Sequence, residues 1–201
     1  MIEFYFQIKM VHIAAVLASV GLFAVRGAQV LASVKSGESD FALNYTGMQD
    51  PEVAFTPLLK EPFVLACPVG HPLARRRSVR WAEIGDYPYA LVSHASRNRV
   101  LIDQALAELA PLPRPVCEFR HISTLIGFVE NGLGVAIVPQ LTLPRPPASV
   151  VGVRLEHPSI SRTIGLTQRT GRSLSPAAAA FAELITQASQ ATARPARRVR
   201  A

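Results

Sequence analysis

Apolar and polar positions follow two periods along this chain, and the periods place its elements. Residues Glu118 to Pro139 show it best. Leu125, Ile126, Phe128 and Val129 keep helical spacing, with Ser123 or His121 as the N-cap. Asn131-Gly132 stops that helix, because glycine enters the left-handed conformation without a Cβ penalty. Leu133 to Val138 is then almost continuously apolar, as in a strand covered on both faces, and Pro139 closes it. The stretch predicts strand, helix, strand: a βαβ unit whose helix N-terminus suits an anion or a carbonyl.

The same reading extends in both directions. Asp40 to Tyr45 predicts a short strand, Met48 to Glu52 a turn, and Phe55 to Ala66 a strand pair or one long kinked strand. Pro68 to Arg80 reads as a loop, Trp81 to Gly85 as one helical turn, and Tyr89 to Val92 as a strand. Arg97 to Leu109 places apolar residues at 101, 102, 105, 106 and 109, an amphipathic helix broken by Pro111 to Pro115. Val116 to Phe119 is the next strand. Beyond a Pro144 to Pro147 linker, Val150 to Leu155 and Arg162 to Gln168 read as strands. Pro176 to Ala188 reads as a helix with proline near its first position, and Ala191 to Ala201 as a disordered tail. Strands alternating with helices define an α/β fold.

The first thirty residues have a different character. Met10 to Val25 is 16 residues with one titratable group, stopped by Arg26-Gly27, just short of the ~18–20 residues that cross a bilayer. Apolar residues run nearly all round, so one continuous helix is expected over residues 8–33. Glu3 precedes Lys9 with no cationic lead, which argues against a signal peptide.

Composition changes the picture little. At 201 residues, 49% hydrophobic and 17% charged, the chain suits one domain or two small lobes. Four of the seven net positive charges sit at Arg194, Arg197, Arg198 and Arg200, leaving three, too few to argue for nucleic-acid binding by the body. Cys67 and Cys117 lie in strand-like runs and read as buried, reduced thiols, which suits a cytoplasmic address.

Chemistry points to binding. Ser93-His94-Ala95-Ser96 lies between a strand and a helix, where hydroxyls and free amides favour a carboxylate or phosphate; equally, Ser93 or Ser96 is only an N-cap. His121 reads first as a turn histidine, and Arg97 and Arg99 as solvated. The sequence contains no G-x-S-x-G for a serine nucleophile. The five histidines are scattered and neither cysteine has a C-x-x-C partner, so no metal is expected. Gly132-Leu133-Gly134 lacks a third glycine and falls between helix and strand, the wrong side for a dinucleotide. No enzyme and no cofactor are read here.

These words, in order, resemble a known family. Val34-Lys35-Ser36-Gly37-Glu38-Ser39-Asp40-Phe41-Ala42-Leu43, Pro57-Leu58-Leu59, Phe63-Val64-Leu65-Ala66-Cys67-Pro68 and His71-Pro72-Leu73 precede the Gly132-Leu133-Gly134-Val135-Ala136-Ile137-Val138-Pro139 run. Residues 29–187 are similar to the effector-binding domain of LysR-type transcriptional regulators. The resemblance implies a periplasmic-binding-protein-like, two-lobed effector domain. Its first lobe would be 31–63 with 150–188, truncated by loss of its opening β-α-β; its second lobe would be 64–149, followed by a disordered basic tail at 189–201. It further implies that the Ser93 to Ser96 loop and the Arg120 to Thr124 turn line an inter-lobe cleft. Ser93, His94, Ser96, His121, Ser123 and Thr124 are then the effector-binding candidates, the effector being a small carboxylate-like molecule. No helix-turn-helix pattern precedes them, so this chain is not expected to read DNA itself. Pairing into a homodimer through the effector domain stays open. Residues 1–30, with Ile2-Glu3-Phe4-Tyr5 and Gln7 to Ile13, resemble the first transmembrane helix of the SirB family. That suggests a fusion near Ala28 to Leu31, and an alternative in which residues 10–25 anchor the chain in the inner membrane.

Overall fold

The computed structural model describes residues 27–45, 50–107, 114–145 and 147–193. The segment read as an apolar, SirB-like helix lies outside them up to residue 26. What is described of it begins at α1 (Gly27–Ser36). Among the described residues, no helix is long and apolar enough to cross a membrane.

The chain divides into two units. One comprises residues 1–59 and 164–201, the other residues 60–163. Two strands run through both: β2 (Val53–Pro68) and β8 (Ser161–Arg169). The strand expected over Phe55 to Ala66 is thus a single 16-residue strand, despite Pro57 and Pro62 within it.

In the first unit, β1 (Phe41–Tyr45) pairs antiparallel with β8, from Phe41 opposite Gln168 to Tyr45 opposite Ile164. Gly37, at φ 81°, ends α1, and its N–H donates to the Val34 carbonyl. Lys35 then reaches Asp50 Oδ2 at 3.0 Å and also pairs with Glu52, which ties the helix end to the turn before β2. The C-terminal helix α5 (Pro176–Ala193) continues past Ala188, so residues read as the start of a disordered tail are helical. Its Phe181 ring lies 5.9 Å from that of Phe41 on β1.

The second unit adds β3 (Ser78–Arg80), α2 (Trp81–Ile84), β4 (Tyr89–Val92), α3 (Arg97–Leu106), β5 (Cys117–Phe119), α4 (Ile122–Glu130), β6 (Val135–Pro139) and β7 (Val150–Glu156). Its strands lie in the order β3-β7-β2-β6-β4-β5. β6, β4 and β5 run parallel, whereas β2 is antiparallel to both β6 and β7. Side chains alternate across the sheet and give it two apolar faces. Phe63, Leu65 and Cys67 pack with Trp81, Leu91 and Ile102 on one face. Val64 and Ala66 pack with Val92, Leu125, Phe128 and Val129 on the other. Hence α3 covers the first face and α4 the second.

Two sequence expectations fail here. The Pro68 to Arg80 stretch is more than a loop: a short 3-10 turn at Pro72–Arg75 leads into β3, which pairs parallel with β7. Three residues are too few to show a period, and the partner strand is more than seventy positions away. Cys117 is exposed, while Cys67 is buried and its thiol is pushed up to about 11 by desolvation.

Candidate functional site

The site is built by two neighbouring parallel strands that end together. Val92 of β4 stands opposite Phe119 of β5, and the Ser93 amide donates to the Phe119 carbonyl at 2.8 Å. Each strand then turns into a helix, so the N-termini of α3 and α4 open on the same edge of the sheet. Open parallel sheets bind ligands at this carboxyl edge, because the free amides of helix N-termini collect there.

The six predicted residues divide between these turns. Ser96 is the N-cap of α3, and its hydroxyl accepts from the Asn98 amide at 3.3 Å. For Ser96 the capping reading is the observed one. Ser93 is half-buried, and its hydroxyl has no hydrogen bond among the described residues. On the other turn His121 is the N-cap of α4, with no side-chain cap bond, which decides between it and Ser123. Ser123 and Thr124 follow in the first turn of α4, both exposed. Neither helix carries an acidic residue in its first turn, so neither first turn opposes an anion.

His94 belongs to a different cluster. Its Nε2 lies 3.1 Å from Arg99 Nη2 and 3.4 Å from Glu118 Oε1, and its Nδ1 lies 3.6 Å from Asp103 Oδ2. Arg99 is the centre of that cluster. Its Nε donates to Asp103 at 2.7 Å, and its Nη1 to Glu118 at 2.8 Å and to the Val92 carbonyl at 3.3 Å. The hydrogen bond from Arg99 holds the Glu118 carboxyl below the usual range. Arg99 is buried at 8% exposure, which corrects its reading as a solvated residue: three acceptors satisfy the guanidinium where water cannot. Arg97 is exposed.

Sequence reasoning missed a second buried network behind these turns. Asn98, the second residue of α3, accepts from Arg162 Nη1 at 2.8 Å, and Arg162 Nε donates to Glu61 at 2.7 Å. Glu61 also accepts from the Leu141 amide at 2.8 Å. The start of α3 is thereby fixed to β2 and β8. A lone Glu between Lys60 and Pro62 carries no local signal of burial. Among the described residues no group of His, Cys, Asp and Glu could hold a metal ion.

A two-unit α/β chain, the strands of its second unit presenting paired βα turns at one edge, is the architecture of a known family. The model of the LysR substrate binding domain matches residues 18–190, and the chain belongs to that family. The match begins upstream of the expected Ala28 to Leu31 junction, so the SirB-like reading of residues 18–30 gives way to it. The uncharacterized HTH-type transcriptional regulator YbhD of Escherichia coli (strain K12) is 43% identical over 154 residues, covering 76% of this chain and 49% of that protein. OxyR of the same strain, a DNA-binding transcriptional dual regulator, is 28% identical and covers 78% and 52%. The chain thus spans about half the length of these curated relatives. Among solved structures, the effector binding domain of QuiR in complex with shikimate superposes with a TM-score of 0.67 at 25% identity, over 82% of this chain and 78% of that one. The reduced form of OxyR gives 0.63 at 25% identity, over 81% and 77%.

Proposed function

We propose that this chain is the effector-sensing part of a LysR-type transcriptional regulator and that it binds a small carboxylate-like molecule at the Ser93 to Ser96 and Arg120 to Thr124 turns. The observation that carries this is the Ser93 to Phe119 hydrogen bond of 2.8 Å, which holds two acid-free helix N-termini side by side. Ser93, Ser123 and Thr124 offer the hydroxyls, while Ser96 and His121 set the turns that present them. The two units correspond to the two lobes of the family, the second being the one that carries these turns. DNA reading is left to a helix-turn-helix outside the described residues. A homodimer through this domain fits the regulator role. Sensing follows if the ligand prefers one conformation of the chain over another.

Shikimate, the ligand held by QuiR, is the first probe. Calorimetric titration of the chain should give saturable binding, and Ser93→Ala with Ser123→Ala should weaken it by about thirtyfold or more, given ~1–3 kcal/mol for each lost hydrogen bond to a charged group. A panel of hydroxy acids and aromatic carboxylates extends the search. Saturable binding that both substitutions leave unchanged would move the site elsewhere.

A further inference from the structure

The second unit holds a cavity of about 550 Å³ beside β2 and β7, lined by none of the residues of the paired turns. Lys60, Pro62, Phe63 and Val64 of β2 line it, and the register sets Arg154 of β7 opposite Val64. Ser78 of β3 pairs with Arg154, so Arg77, just before it, reaches the same rim. The floor is apolar. Gly152 is covered there, since Leu143 and Val64 occupy the space that a Cβ on it would need.

Three cations line this space and no carboxylate does. Lys60 and Arg77 make no ion pair among the described residues, and Arg154 has only Glu156, at 3.7 Å. Elsewhere in the same segment arginines do find partners: Arg76 reaches Glu83 at 2.8 Å and Arg80 reaches it at 3.6 Å. All three cations are exposed, so water screens their mutual repulsion; what marks the hollow is a rim that carries three cations and no carboxylate. The volume lies within the ~300–1,000 Å³ of ordinary small-molecule sites, where apolar walls bind and a few polar groups orient.

We infer that this cavity is a second ligand site, separate from the paired turns, for a small anion with an apolar body. The apolar part rests on Phe63, Val64 and Leu143. The anionic head meets Arg77 and Arg154, with Lys60 completing the rim. Carboxylate and phosphate heads share this chemistry, and two probes separate them.

The test is calorimetric titration of the full chain with phenylacetate and phenyl phosphate, against inorganic phosphate and benzyl alcohol as half-ligands. At least one aromatic anion should bind ten times more tightly than either half-ligand. Arg77→Gln with Arg154→Gln should weaken it tenfold or more. Leu143→Trp, which fills the hollow without touching charge, should do the same. Ser93→Ala with Ser123→Ala should leave this binding unchanged, which separates the outcome from that of the first site. The inference is overturned by affinity that survives the arginine substitutions, by inorganic phosphate binding as well as the aromatic anions, or by no saturable binding at all.

Discussion

Glu61 and Arg162, 101 positions apart in sequence, form a 2.7 Å hydrogen-bonded ion pair in which the Glu61 side chain has no exposure and Arg162 has 12%. One residue comes from each of the strands that pass between the units. Asn98 and the Leu141 amide complete the set, so a single buried pair fastens β2, β8, the start of α3 and the turn after β6.

Breaking that pair from one side takes from the remaining buried group the opposite charge it faces. Glu61→Gln or Arg162→Met should each destabilise the chain by about 3–5 kcal/mol. Asn98→Ala removes only a neutral acceptor and should cost ~1–3 kcal/mol. Urea unfolding followed by circular dichroism reads both. Equal, small losses from all three variants would show the network to be incidental.

The Arg99 cluster predicts an acid-side pH dependence. Arg99 depresses the folded-state pKa of Glu118 below its ordinary 4.5. A depressed carboxylate contributes stability above its unfolded pKa and loses it as pH falls through the folded one. Stability should therefore fall as pH drops below about 4.5, and Glu118→Gln should flatten that fall relative to the parent chain. Thermal melts from pH 6 to pH 3 measure it. A steeper fall in the variant would contradict the assignment.

The two cysteines should react at different rates. Cys117 is exposed, while Cys67 is buried with its thiol pushed up to about 11. Reaction with a chromogenic disulfide at pH 8 should give one rapid equivalent in the folded chain, and a second only on denaturation. Cys117→Ser should abolish the rapid one.

Gly134 should resist replacement. Its φ is 155°, and a Cβ there would strike the Pro88 carbonyl oxygen, which already accepts from the Val135 amide at 3.0 Å. Backbone cannot swing aside as a side chain can. Gly134→Ala should cost about 2–3 kcal/mol in urea unfolding. Gly127→Ala, in open space on α4, should cost nothing.

What the sequence determined by itself was the local periodic part. The helix at Ile122–Glu130 and the strand at Tyr89–Val92 are legible because each carries its own apolar pattern and its own stop. The two βα turns follow from those elements, and with them the positions of Ser93, Ser96, Ser123 and Thr124. Tertiary structure decided whatever depended on distant partners. It made Arg99 a buried hub, because Glu118 arrives from the next strand. It left Cys117 exposed and Leu133 outside β6, since no neighbour covers them. It recruited three residues to β3 by offering β7, and it gathered Lys60, Arg77 and Arg154 round one hollow. Period reports which way a side chain points along its own element. Which charges then meet is set by strand order and register, and these are fixed only when segments dozens of residues apart bury their faces together.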